Sequence, residues 1–123
     1  MTASPRAVEL ALAAAHAASE KLATDLVALD VSDQLVITDV FVVCSAANDR
    51  QVRAVVDAVE DALQPMGAKP VRREGERDGR WVLLDFGELV VHVQHTDERM
   101  YYGLERLWKD CPPLELPSTA RPA

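Results

Sequence analysis

His92 and His95 stand three residues apart inside WVLLDFGELVVHVQHTDERMYYGLERLW, which runs from Trp81 to Trp108. Paired histidines can hold a metal ion, and a histidine beside a serine or cysteine can activate a nucleophile. Neither chemistry is well supplied here. Residues three apart on a strand point to opposite faces, so one ion cannot easily take both rings. Ser45 follows an apolar run, but its setting is VCSAA and G-x-S-x-G is absent. G-x-x-x-x-G-K-[ST] and G-x-G-x-x-G are also absent, although CSAANDR places small residues before a helix start, where an anion could sit. Nucleotidyl transfer would want paired carboxylates on a strand to hold magnesium. Asp39 and Asp85 are the strand-associated candidates, and the D-x-D spacing is missing. No catalytic residue, metal or cofactor is expected.

Recognition fits the same residues better. In the expected strand Trp81 to Phe86, Val82, Leu84 and Phe86 point one way, with Val91 and Val93 as partners. Trp81, Leu83 and Asp85 point the other way, with His92 and Gln94. This second set mixes a large aromatic ring, an acid, a histidine and an amide, as recognition surfaces do. Asp97 and Glu98 begin a helix, where the helix dipole alone accounts for them. Together with Tyr101 and Tyr102 they would also suit a basic protein partner.

Periodicity supplies the elements that must position these residues. Ser4 and Pro5 start a helix that runs to about Thr24, with Val8, Leu12 and Leu22 on one face. Leu26 to Val31 reads as a strand, and Ile37 to Ala46 as a more central one, apolar on both faces. Ser45 or Asn48 caps a second helix whose stripe is Val52, Val55, Val56, Val59 and Leu63, ended by Pro65 and Gly67. Lys69 to Arg73 is a short strand, and Pro70 puts it at an edge or a strand start. Strands Trp81 to Phe86 and Leu89 to Gln94 form a hairpin through Gly87-Glu88. Asp97 to about Lys109 is a last helix, with Met100, Leu104, Leu107 and Trp108 inward. The order α-β-β-α-β-β-β-α predicts an α/β, two-layer domain: a mixed five-stranded sheet with flanking helices. One domain spans residues 1–111, and residues 112–123 form a Pro-rich, flexible tail. The helices are too few to cover both faces of the sheet, which leaves one face partly open for contacts.

Bulk properties narrow the partners. The 123 residues suit one core, and the formal net charge is −7. Phosphate backbones repel such a chain, so specific nucleic-acid binding is not expected, whereas a basic protein partner is. Cys44 and Cys111 form neither a disulfide framework nor a zinc motif. No apolar run approaches the roughly 20 residues that span a bilayer. The stretch ALAAAHAA lacks the basic flank of a signal peptide, so the expected location is the cytoplasm.

Two stretches, LDVSDQLVITDVFVVCSAANDRQVRAVVDAVE and GRWVLLDFGELVVHVQHTDERMYYGLERLW, resemble the ribosomal silencing factor family, also called Iojap-like. The resemblance covers about Leu29 to Trp108 and rests on D-x-F-V-V-C-S, D-R-Q-V, W-V-L-L-D-F-G, V-V-H-V and E-R-x-Y-Y-x-L-E-R-L-W in that order. Ala46, where the family often has glycine, and Leu35, where a small polar residue is common, are minor departures. The resemblance implies a nucleotidyltransferase-like fold without its catalytic machinery. It also implies binding to the large ribosomal subunit through ribosomal protein L-fourteen, steric block of small-subunit joining, and lowered translation when nutrients run short. A homodimer when free is implied as well. The expected partner face combines Trp81, Asp85, His92, Glu98 and Tyr101, with Asp39 as a neighbour. The alternative is a degenerate nucleotidyltransferase-like protein that still binds nucleotide.

Overall fold

A computed structural model describes residues 3–35, 37–97, 111–114 and 116. The elements are α1 (Pro5–Glu20), β1 (Thr24–Asp30), β2 (Val40–Ala46), α2 (Asp49–Leu63), a 3-10 turn (Gln64–Met66), β3 (Arg72–Glu74), β4 (Trp81–Asp85) and β5 (Leu89–His95). The five strands form one sheet in the order β1-β2-β5-β4-β3. Only β2 and β5 run parallel; the other neighbours are antiparallel, so the sheet is mixed as expected. The last expected helix, with Leu104 and Leu107 in its apolar stripe, lies outside the described residues beyond Asp97.

Ser4 caps α1 by accepting the amide of Ala7 at 3.1 Å, and Pro5 follows at the first helical position. The helix stops at Glu20 and does not reach Thr24, which opens β1. The amide of Ala23 reaches back to the carbonyl of Ala18, and that of Leu22 to Ser19, with Leu22 at φ 64°. This is a Schellman stop with leucine in the place glycine usually takes. The buried stripe of α1 also differs from expectation. It consists of Leu10 and alanines 7, 11, 14, 15, 17 and 18, while Leu22 stays 76% exposed. Small side chains let α1 lie close against α2 and the sheet.

In α2, Asn48 is the cap, accepting the amide of Gln51 at 2.9 Å. The stripe Val52, Val55, Val56, Val59 and Leu63 is buried as its spacing predicts. Both helices join one core cluster with Val40, Val42 and Cys44 of β2, Val82 and Leu84 of β4, and Val91 and Val93 of β5. All seven residues of β2 are buried, in keeping with its place inside the sheet. It begins at Val40 rather than Ile37, whose side chain is 83% exposed.

β1 is an edge strand, and the chain covers it. The amide of Asp30 donates to the carbonyl of Pro112 and the amide of Leu114 to that of Ala28, both at 2.8 Å. Pro113 bridges Leu29 in antiparallel sense, and Leu116 is buried in the main core. The beginning of the Pro-rich segment thus lies along β1 through one isolated bridge, on an edge that would otherwise expose its peptide groups.

Leu84, fully buried between β4 and the helices, tests this packing. Leu84→Ala is expected to cost about 2–5 kcal/mol in urea denaturation, since a cavity adds to the lost transfer energy.

Candidate functional site

Away from the helices, the alternation of three strands builds a second surface. β2 contributes Phe41, Val43 and Ser45; β5 contributes Val90, His92 and Gln94; β4 contributes Trp81, Leu83 and Asp85. Leu29, Val31, Phe41, Val43, Val90 and Cys111 form a small apolar cluster, with Trp81 and Leu83 partly buried against it. One face was expected to be only partly covered. Instead His92 is 5% exposed and Gln94 fully buried.

The register explains which residues meet. In the antiparallel β4–β5 pair, Leu83 faces His92 and Trp81 faces Gln94. Trp81 leans along the strand, and its indole Nε1–H donates to His92 Nδ1 at 3.2 Å. Phe41 stands edge-on to the same imidazole, with ring centroids 4.9 Å apart. Because Nδ1 accepts a proton donor, the neutral ring carries its own hydrogen on Nε2. Burial lowers the His92 pKa from the ordinary 6.5 to about 4, so the ring is neutral at physiological pH. Trp81 remains half-buried and walls a shallow cleft of 210 Å³ with Glu74, Gly75 and Leu83. Gly75 is required there: at φ +85°, a Cβ would lie 1.8 Å from the carbonyl oxygen of Trp81.

Of the six residues expected to form the patch, the structure joins Trp81 and His92. Asp85 shares their face but sits at the far end of β4, roughly 13 Å along the strand from Trp81. Its carboxylate accepts the amide of Gly87 at 2.8 Å and so stabilises the hairpin turn. Asp39 is also at the hairpin end, where its amide donates to the carbonyl of Glu88. Its carboxylate accepts the amide of Ser4 at 2.9 Å, which ties β2 to the start of α1. Asp39 and Trp81 lie at opposite ends of the sheet. Glu98 and Tyr101 lie outside the described residues. Phe41 and Gln94 belong to the site that exists; strand phase already put Gln94 beside His92, but nothing local in the sequence set Phe41 against it.

His95 falls on the opposite face from His92, and its Nδ1 accepts the amide of Asp97 at 3.1 Å. Among the described residues, no group of three or more His, Cys, Asp or Glu side chains is placed to hold a metal ion. What the arrangement can do is bind: a partly exposed aromatic ring is held in one orientation beside the buried His92 and Gln94.

The depressed His92 pKa makes stability depend on pH. The unfolded chain takes up a proton near pH 6.5 that the folded chain refuses until about pH 4. The His92 contribution is therefore complete above pH 6.5 and is lost as pH falls through that window. Thermal melts between pH 7 and pH 4 are expected to show falling Tm, with a shallower slope for His92→Leu.

Comparison with known proteins agrees with this geometry. Residues 4–123 match the family described as "Ribosomal silencing factor during starvation". The chain is 42% identical over 108 residues to Ribosomal silencing factor RsfS of Halalkalibacterium halodurans, covering 88% of this chain and 92% of that one. It is 42% identical over 103 residues to the Bacillus subtilis protein of the same name, covering 84% and 87%. A crystal structure of a Chromobacterium violaceum protein superposes with a TM-score of 0.80 at 32% identity, covering 90% of this chain and 89% of that one. With its mixed sheet, two helices on one side of it among the described residues, and a match along almost its whole length, this chain belongs to the ribosomal silencing factor family.

Proposed function

We propose that the chain binds the large ribosomal subunit through ribosomal protein L-fourteen, blocks joining of the small subunit by occupying its docking surface, and so represses translation under nutrient limitation. The observation that carries this reading is Trp81, an oriented and partly exposed aromatic ring on the sheet face away from the helices. Aromatic anchors of this kind dominate the energetics of protein interfaces. The net charge of −7 supports the choice of partner. A basic ribosomal protein attracts the chain, while exposed rRNA repels it, and the contrast favours one site on the particle. The mechanism needs only occupancy and no chemical step, so the chain acts as a non-enzymatic regulator without cofactor.

The cytoplasm is the place of action in this reading, stationary phase the time, and a homodimer the free form. Among the described residues, no helix is long and apolar enough to cross a membrane.

Sedimentation of purified subunits through sucrose tests the proposal. With the protein present, it is expected to migrate with the large subunit while the joined-ribosome peak falls. Trp81→Ala, if folded, is expected to weaken large-subunit binding by more than about 1 kcal/mol. A protein that stays at the top of the gradient while subunits still join sinks the silencing mechanism. A thermal shift with nucleotide and magnesium would then favour the alternative, a degenerate nucleotidyltransferase-like nucleotide-binding protein.

A further inference from the structure

The two edges of the sheet are guarded in different ways. β3 is three residues long and exposed, and all its side chains are charged: Arg72, Arg73 and Glu74. Short, charged edges resist the addition of another strand. β1, at the opposite edge, is seven residues long, and its stretch Leu26, Val27, Ala28 and Leu29 carries no charge. Left bare, such a strand is a template for pairing with another chain. Here the chain itself takes the edge groups, the Asp30 amide donating to Pro112 and the Leu114 amide to Ala28. Backbone groups of an extended segment point alternately to its two sides. With the Pro112 carbonyl and the Leu114 amide turned toward β1, Pro113 between them turns its nitrogen and carbonyl outward. That nitrogen carries no hydrogen, so the outer side offers an acceptor there but no donor, and a further strand cannot pair fully. The segment is anchored on both faces of the sheet: Cys111 is buried in the small cluster and Leu116 in the main core. Asp30 adds a tie, since its carboxylate also accepts the amide of Ala3, just before α1, at 2.9 Å.

We propose that the segment from Cys111 to Leu116 is an intramolecular strap that keeps a second copy of this chain from adding its own β1 to the open edge. The strap and a second copy compete for the same groups, the Ala28 carbonyl and the Asp30 amide. An antiparallel, two-fold pairing of two β1 strands centred on Ala28 uses both groups in each copy. It sets Leu26 against Asp30 and Val27 against Leu29, and no two like charges face each other. The pairing also stays clear of the irregular start of β1, where the register with β2 shifts between Thr24 and Val27. A strand of this chain therefore fits the bare edge, and the strap with Pro113 on its outer side closes it. This role is separate from docking at the Trp81 face, which lies two strands away from β1 on β4 and β5.

Two substitutions in the full chain release the strap by different means. Leu114→Pro removes the amide that donates to Ala28, and Leu116→Asp puts a charge where the anchor meets the core. Sedimentation velocity over a range of concentrations compares each with the unaltered protein. The expected result is a species of about twice the unaltered protein's mass or more, favoured at high concentration. Hydrogen–deuterium exchange locates the contact. In dilute variants the β1 peptide exchanges about tenfold faster or more than in the unaltered protein, and it regains protection as the larger species forms. Val27→Lys, added to either variant, places a charge on the bare edge and is expected to restore the unaltered size. Folded variants that keep the unaltered size at every concentration overturn the proposal. Larger species that Val27→Lys leaves in place, or that form without protecting β1, overturn it as well. If neither release variant folds, Leu116→Ala weakens the anchor without charging the core, and the same outcomes decide.

Discussion

The parallel pairing of β2 with β5 is the constraint on which the rest of the structure depends. It runs in register from Val40–Leu89 to Ala46–His95. A parallel pair cannot be closed by a tight turn, so the chain must leave β2, cross over and return. α2 makes the crossing and places its valine stripe on one face of the sheet. α1 packs beside it on that same face. The β4–β5 hairpin then extends the sheet beyond β5, with β3 at the edge. From this arrangement follow a main core on the helix side and a smaller cluster on the other.

The smaller cluster combines a folding requirement and the proposed docking surface on one face. Phe41, Val43 and Val90 bury apolar area there, which the central strands need. Trp81 is anchored through its indole nitrogen to a neutral, buried histidine, so its ring is oriented before any partner arrives. Preorganisation of this kind reduces the side-chain entropy lost on association. The carboxylates at the opposite end have settled structural work. Asp39 receives the start of α1, and Asp85 closes the hairpin.

Much of the architecture was legible because it rests on period and on residues with narrow backbone preferences. The α2 stripe, its cap at Asn48 (one of two candidates with Ser45), the turn at Gly87 and the inward set Val82, Leu84, Val91 and Val93 are where alternation and capping place them. The end of α1 was not legible, because Leu22 occupies a left-handed position without the glycine that usually signals it. Nor was its buried face: alanines gain importance only when a second helix comes close. The start of β2 was misread because Ile37 continues an apolar run yet is exposed.

By itself, the sequence determined the element types, the mixed α/β class, the side of β4 and β5 that each residue faces, and, through its ordered motifs, the family. These follow from local rules, since a strand alternates and a helix repeats wherever it occurs. Tertiary structure alone decided which of the candidate residues meet. Trp81 and Asp85 have the same phase and lie equally far along β4 from Leu83, which faces His92, yet only the long indole of Trp81 reaches the imidazole, while the Asp85 carboxylate is held by the amide of Gly87. Asp39 lies at the hairpin end because the β2–β5 register sets the neighbouring Val40 beside Leu89, and there its carboxylate accepts the amide of Ser4, 35 residues distant along the chain. The burial of His92 and Gln94 likewise depended on β2 and β4 lying on either side of β5, an outcome of chain topology that no short stretch encodes.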